Sequence, residues 1–244
     1  MERLSILVSS FDNYSDLWSP FFQLFHKYWP ENKSDLYLIT NNVSYNENNV
    51  NCLHLSKNNS WSESVKQALN QINSEYVLFT LEDFLVKEKV KTEEIKHVLQ
   101  FAIDNKSTAV YLNKNRFSHI RFSSLKKFQL INNSRPYVVS TQAAIWNRIE
   151  FLKYLDSEES AWDFEKNGSL RAKNINGKFY CVNDNLFNYF HHSVEKGKWF
   201  PSEIKRLHKL GIYPDLKMRK IMTRREVIMW YIRKLLGGVV IKFK

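Results

Sequence analysis

Two hydrophobic periods alternate along the first 113 residues of the chain. Short and nearly continuous apolar runs, typical of buried strands, lie at residues 3–9, 35–40, 51–55, 76–81 and 109–113. Several segments between them repeat apolar residues every three to four positions, which predicts helices. These helices begin near Leu17, at a cap formed by Ser62, and at Thr92. Such alternation favours an α/β fold with a mostly parallel central sheet.

The pattern changes after residue 113. Residues 119–122, 126–131 and 137–146 form short apolar runs without helical segments between them, so the sheet is expected to be mixed. A second helical part begins at Asn147, which with Glu150 predicts a capped helix start. No linker or repeat interrupts the chain before about residue 195. We therefore expect a single domain over residues 1–200, large enough to form an enzyme, and a helical extension over residues 201–244.

Composition places the chain among globular proteins, because 43% of its residues are hydrophobic and it has only 6 Gly and 5 Pro. Its two cysteines, Cys52 and Cys181, lie in apolar, strand-like stretches and favour a reduced, cytoplasmic protein. The N-terminus resembles a first strand more than a signal peptide, and no apolar stretch approaches the length of a membrane span.

The charge is distributed unevenly. Residues 196–244 carry 14 Lys and Arg against 3 Asp and Glu, whereas the first 195 residues carry 22 of each sign. The net charge of +11 therefore lies wholly in the C-terminal part, which predicts an anionic partner.

Residues 223–236 predict a basic amphipathic helix. Thr223 and Glu226 form a capping box, and seven large apolar residues spread over a wide arc with arginines and lysines at its margins. A helix of this kind is typical of proteins that lie on an anionic membrane surface, here the inner face of the cell membrane. The alternative is a terminal helix that packs on the protein's own core. Nucleic-acid binding is disfavoured, because polar residues that read bases are missing.

Two acids, Glu82 and Asp83, end the apolar run 76–81. A carboxylate is costly to bury unless a cation pairs with it, so the strand ends either at solvent or at a cation. The alternative to a binding role is a cap of the next turn, or a surface pair with Lys87 or Lys89. No Gly-rich phosphate loop is present, which disfavours NAD-dependent enzymes and P-loop NTPases.

The order of these elements resembles that of the GT-A glycosyltransferases. More narrowly, the chain is similar to bacterial enzymes that build capsule or lipopolysaccharide glycans. The resemblance rests on the acidic pair followed by an aromatic in residues 81–84, the tryptophan–acid segment 161–169, and the Gly-Lys-Trp within residues 196–199. As a pattern it covers roughly residues 3–200.

The resemblance implies a divalent cation, Mg²⁺ or Mn²⁺, that neutralises charge on the diphosphate of a nucleotide-sugar donor. The acidic motif would supply its ligands, most directly from Asp83, with Glu82 beside it and His191 completing the site. The chain has Glu-Asp where the family more often has Asp-x-Asp, so the sequence leaves metal dependence open. A lone histidine is also often structural.

An inverting transferase needs a base for the acceptor hydroxyl. The resemblance implies Glu165 as first choice and Asp163 as second, with Trp162 and Phe164 as an apolar wall for a sugar ring. The alternative is an amphipathic helix with core aromatics and solvated acids.

Further donor contacts are expected at eight positions: Ser9, Ser10, Phe11, Asn41, Trp61, Gln142, Lys196 and Lys198. By resemblance the first four meet the nucleobase, while Trp61 opens a helix whose N-terminus favours phosphate. Gln142 is suited to a sugar hydroxyl, and the two lysines to phosphate as point charges. Ordinary turns and a solvated basic loop are the alternatives.

The sequence thus predicts a GT-A-like glycosyltransferase that moves a sugar, from a donor expected to be UDP-linked, to a glycan or lipid-linked glycan of the bacterial surface. A nucleotidyltransferase of similar fold and a non-enzymatic, membrane-associated assembly protein remain as alternatives.

Overall fold

In the computed structural model, which describes residues 3–47, 49–114, 127–191 and 193–240, one mixed sheet of eight strands forms the centre. Its strands are β1 (Leu4–Ser9), β2 (Leu36–Thr40), β3 (Val50–His54), β4 (Tyr76–Leu81), β5 (Ala109–Tyr111), β6 (Phe128–Ile131), β7 (Ala144–Asn147) and β8 (Phe179–Val182). They lie in the order β3-β2-β1-β4-β7-β5-β8-β6. Neighbouring strands are parallel except that β7 is antiparallel to β4 and β5, and β6 to β8. The predicted α/β class and mostly parallel, mixed sheet are confirmed.

Helices cover both faces of this sheet. They are α1 (Ser15–Tyr28), α2 (Trp61–Gln71), α3 (Thr92–Asp104), α4 (Arg148–Leu152), α5 (Ala161–Arg171), α6 (Pro201–Lys209) and α7 (Arg224–Val240). Side chains of β1 alternate between the faces: Ile6 and Val8 pack with α1, α3 and α6, while Leu7 packs with α2, α4 and α5. The sheet is therefore buried on both sides, which explains its nearly continuous apolar strands.

Hydrogen bonds at the N-termini of α4 and α2 show which residues cap these two predicted helices. Asn147 accepts a hydrogen bond from the Glu150 N–H at 3.1 Å and caps α4, as expected. Helix α2 is capped by Ser60, which accepts from the Glu63 N–H at 2.9 Å, and not by Ser62. The sequence Ser-Trp-Ser offers two possible caps, and the backbone uses the first of them.

One predicted strand differs from the structure in its extent. The expected strand over residues 137–146 is a strand only from Ala144, because backbone N–H groups before it donate to side chains of α5. The apolar run 186–190 contributes a single bridge between Val86 and Tyr189. The predicted strand 119–122 lies outside the described residues.

The chain after the sheet returns to the domain. A short hairpin of β9 (Val194–Glu195) and β10 (Lys198–Trp199) turns at Lys196 and Gly197, whose φ angles of 49° and 72° are left-handed. Trp199 donates its N–H to the Lys220 carbonyl and accepts from the Met222 N–H, both at 2.9 Å. The predicted extension from residue 201 is thus tied to the hairpin by backbone hydrogen bonds.

Helix α7 follows this tie and begins with the predicted capping box of Thr223 and Glu226. Its described side chains contact the domain through the rings of Trp230 and Tyr231, which lie 5.2 and 6.3 Å from Phe200. Within the described part of the chain, no helix is both long enough and apolar enough to span a membrane.

Candidate active site

The parallel register brings two polar strand ends together. Ser9 at the end of β1 is paired with Leu81 at the end of β4, so Ser10 and Glu82 leave the sheet side by side. Strand β5 ends, and the antiparallel β7 begins, at the same edge. In α/β sheets such an edge is where ligands bind. Here it opens into a cleft of about 1200 Å³.

Most of the predicted site residues line this one cleft. They are Ser9, Ser10, Phe11, Trp61, Glu82, Asp83, Gln142, Glu165, His191 and Lys196. They come from positions spread along almost the whole predicted domain, and the sheet edge gathers them. Asn41, Asp163 and Lys198 are not among the residues that line it.

These three side chains are engaged elsewhere. Asp163 forms a capping box with Ser160 at the start of α5, so it is a poor choice as a catalytic base. Lys198 forms an ion pair with Glu226, which lowers the pKa of Glu226 to about 2. Asn41 bonds to the Asp12 N–H and the Leu55 carbonyl and supports the loop behind the cleft.

The acidic pair lies on the cleft floor. Glu82 is only 8% exposed, and burial together with the Asp83 charge raises its pKa well above the ordinary value. Burial also raises the pKa of Asp83 to about 7. The positive charge of Arg219 opposes both shifts. The strand thus ends at a cleft, with both carboxylates in the cleft lining.

Glu165 is held rigidly on the opposite element, α5. Its Oε1 accepts hydrogen bonds from the Ser140 hydroxyl at 3.0 Å, the Thr141 N–H at 2.7 Å and the Thr141 hydroxyl at 2.8 Å. These bonds fix the direction of the carboxylate. Glu165 is thus a fixed carboxylate in the lining of a ligand-sized cleft.

A second fixed group is the amide of Gln142. Tyr189 donates its hydroxyl to Gln142 Oε1 at 2.5 Å, which turns the amide nitrogen away from Tyr189. The Tyr189 ring stacks on Phe84 with centroids 4.2 Å apart, and His191 lies 4.6 Å from it on the centroid distance. This aromatic stack connects the acidic pair to the sugar-binding candidate Gln142.

Of the two aromatic residues predicted to contact a sugar ring, only one lines the cleft. Trp162 is 82% exposed and lines the cleft, as a stacking platform must, whereas Phe164 is fully buried in the core against Trp61. Tyr137, 54% exposed, also lines the cleft, and no motif in the sequence pointed to it. Arg219 was missed as well, because it lies in a basic run that resembles a solvated surface.

The residues present fit a divalent cation in one respect. Asp83 Oδ1 is buried and receives no hydrogen bond within the described structure, so a hard cation at this carboxylate would satisfy it. Among the described residues no cluster of three His, Cys, Asp or Glu side chains is suited to a metal. An ion here would therefore depend on Asp83 together with oxygens of a bound diphosphate and water. The role of His191 stays a prediction.

Comparison with known proteins identifies the fold of the chain. No protein-family model and no curated protein sequence matches the chain. Among solved structures it is similar to S. aureus TarS 1-349, with a TM-score of 0.52 at 14% identity over 76% of this chain and 59% of that one. The same protein in complex with UDP-GlcNAc matches with the same score and identity.

It is also similar to the mannosyltransferase PcManGT from Pyrobaculum calidifontis in complex with GDP-Man and Mn²⁺. There the TM-score is 0.55 at 12% identity, over 80% of this chain and 58% of that one. The chain thus spans less than three fifths of the length of these proteins. At such identities the likeness shows the fold, which is the GT-A arrangement of a mostly parallel sheet with flanking helices.

Proposed function

We propose that the protein is a glycosyltransferase that uses a nucleotide-sugar donor. The observation that carries the proposal is one cleft, at the carboxyl edge of a GT-A-like sheet, in which the Glu82–Asp83 pair and the fixed carboxylate of Glu165 are both present. The first is suited to a diphosphate with its cation, and the second to proton removal.

The donor would lie across the ends of β1 and β4. Phe11 is 42% exposed in the cleft and offers its ring to a nucleobase, while Ser9 and Ser10 are buried behind it. Lys196 supplies positive charge from the β9–β10 turn. We favour a UDP-linked donor, since TarS of this fold is known with UDP-GlcNAc, although PcManGT is known with GDP-Man.

We propose that the transfer proceeds with inversion. The acceptor oxygen attacks the anomeric carbon, the bond from that carbon to the diphosphate oxygen breaks, and the electron pair leaves with the diphosphate. Glu165 takes the proton of the acceptor hydroxyl. Asp83 would hold a divalent cation, which would supply neutralisation of the charge on the leaving diphosphate. Trp162 and Gln142 hold the sugar by stacking and hydrogen bonding.

The acceptor is proposed to be a bacterial surface glycan or its lipid-linked precursor, met at the inner face of the cell membrane. Support comes from α7, where the apolar side chains of Ile228, Ile232 and Leu235 are exposed along one face. Arginines and a lysine flank that face, as expected for contact with anionic lipid. Lys234 of the same helix lines the cleft.

A thermal-shift screen tests the proposal. The purified protein is heated with UDP-, GDP-, CMP- and dTDP-sugars and with nucleoside triphosphates, each with and without Mn²⁺. A ligand at 100 times its Kd stabilises the native state by roughly 2.7 kcal/mol. We expect a shift with one class of nucleotide sugar that is lost in Asp83→Asn and kept in Asp104→Asn, a change of an exposed acid at the end of α3.

The other outcomes are decisive too. A shift with triphosphates alone would favour a nucleotidyltransferase. If no nucleotide raises the melting temperature, the proposal is wrong.

A further inference from the structure

The C-terminal segment places one buried arginine behind the candidate site. The Arg219 guanidinium donates two hydrogen bonds to the Asp16 carboxylate, at 2.8 and 3.0 Å, in a bidentate pair. It also donates to the Asn13 carbonyl at 3.1 Å and lies 4.4 Å from the centre of the Tyr14 ring. Both charged side chains are almost inaccessible to water, at 7% for Arg219 and 0% for Asp16.

Arg219 is in contact with elements that line the cleft on two sides. Tyr14 and the adjoining Phe11 lie on one side, where the nucleobase is expected. On the other side the Arg219 Nη1 lies 3.9 Å from the position that a Cβ on Gly197 would take, at the β9–β10 turn. The backbone bonds of Lys220 and Met222 to Trp199 hold Arg219 against that turn.

Stability alone does not explain such a pair. Desolvation of two charges offsets much of their attraction, and apolar residues of similar size often serve as well in a buried position. A positive charge at this point has another consequence, because it acts on the Glu82–Asp83 pair as well as on Asp16. Arg219 also contacts Tyr14 and lies beside Gly197, and both of these residues line the cleft whose floor carries the two acids.

We propose that Arg219 is a positioning residue of the donor site, which holds the Asp12–Tyr14 turn and the Lys196–Gly197 turn against the Glu82–Asp83 pair. The inference rests on the proposed function, since it assigns the nucleoside diphosphate part of the donor to the space that these three elements enclose. Residues 217–222 then contribute to the donor site through Arg219. Arg219 touches no substrate itself; its effect is carried by Tyr14, Gly197 and the acids.

The test separates positioning from stability. Arg219→Met alone leaves Asp16 buried and unpaired, so it lowers the melting temperature as well as binding. The double variant Asp16→Leu with Arg219→Met removes both charges and is expected to regain most of the lost melting temperature. Binding of UDP and of GDP, each with MnCl₂, is measured by calorimetric titration for both variants. Arg224→Met, an exposed arginine of the same tail, is the matched control.

We expect the nucleotide Kd of the double variant to stay at least about tenfold above that of the wild-type protein, and the control to stay within about twofold. If the double variant regains both melting temperature and wild-type affinity, Arg219 is only structural and the inference is wrong.

A second measurement needs no ligand and separates this inference from the proposed function. Hydrogen exchange of the amides in residues 12–16 and 194–199 is expected to be faster in the double variant than in the wild-type protein. Unchanged exchange at both turns overturns the positioning role. Failure of the wild-type protein to bind any of the nucleotides in the thermal-shift screen overturns the proposed function, while the exchange result still decides the role of Arg219.

Discussion

The backbone N–H of Thr141 donates a 2.7 Å hydrogen bond to the Oε1 of Glu165, and the hydroxyl of the same threonine donates a second at 2.8 Å. The loop before β7 is thus bound to α5 through one carboxylate oxygen. The bonds keep this loop out of the sheet and orient Glu165 in the cleft. Glu165, together with Ser169, therefore limits where β7 begins, and Glu165 is also the proposed catalytic base.

The Glu165→Gln variant tests that base. The amide oxygen of glutamine can still accept the hydrogen bonds from Ser140 and Thr141, so the fold should be retained. Loss of a general base is expected to lower kcat by ~10²- to 10⁴-fold, with donor binding little changed. The measurement is release of nucleoside diphosphate in the presence of acceptor, using the donor that stabilises the protein. Glu158→Gln, at an exposed site before α5, is the control, and equal kcat in both variants would exclude Glu165.

The hydrogen bond from Tyr189 to Gln142 gives a second prediction. Tyr189→Phe keeps the ring stack on Phe84 but removes a bond worth about 0.5–1.5 kcal/mol. The Gln142 amide is then free to rotate, and KM for the sugar that it contacts should rise about three- to tenfold. Tyr180→Phe removes a hydroxyl on β8, away from the cleft lining, and should leave KM unchanged. A normal KM in Tyr189→Phe would mean that Gln142 binds no part of the substrate.

The sequence predicted the fold where local pattern and burial agree. The run 76–81 is a strand at the expected residues, because an apolar run buried on both faces carries its own signal. The run 137–146 is apolar and β-branched as well, yet only its end pairs with the sheet. Its amides bond to Ser169 and Glu165, about 25 to 30 residues further along the chain, and hydrophobic period carries no information about such bonds.

The same limit applies to the candidate site. Ser10 and Asp83 lie within two residues of strand ends and were predicted from their resemblance to GT-A motifs, and the parallel register brings them to one edge of the sheet. Arg219 could not be predicted, because its partner Asp16 lies 203 residues earlier. Nothing in the basic run distinguishes Arg219 from its neighbours. Lys198 was chosen from its motif, but the structure turns it to Glu226 on α7. Motifs locate strand ends well and side-chain partners poorly.

The raised pKa values on the cleft floor predict the pH dependence of stability. Burial raises the pKa of Asp83 to about 7, above the value of an exposed aspartate, so the native state binds more protons than the unfolded chain between about pH 4 and 7. The free energy of unfolding should therefore fall as pH rises through this range, by up to about 1.4 kcal/mol per pH unit for one proton. Urea denaturation at pH 5.5, 7 and 8 measures the slope.

In Asp83→Asn this slope should be smaller, and the variant should be more stable than the wild-type protein at pH 8. The raised pKa of Glu82 leaves part of the slope in place. Asp104→Asn serves again as the exposed control. Identical slopes in the wild-type protein and Asp83→Asn would mean that Asp83 is not desolvated in solution.

The exposed face of α7 gives the last prediction. Ile228 and Ile232 are 59% and 42% exposed, and burial of such side chains in lipid contributes about 1.5–3 kcal/mol each. The wild-type protein should sediment with vesicles that contain phosphatidylglycerol, and less so with phosphatidylcholine alone or at high salt. Replacing both isoleucines by serine should lower the partition coefficient at least about tenfold.

The control for this face is Ile149→Ser, at an equally exposed isoleucine on α4. Because Trp230 and Tyr231 contact Phe200, α7 remains attached without the isoleucines and the serine variant should keep the wild-type melting temperature. A large loss of melting temperature with unchanged vesicle binding would show that the isoleucines pack on the protein itself. Such a result would also remove the main support for an acceptor presented at the membrane, while the donor site at Asp83 would be unaffected.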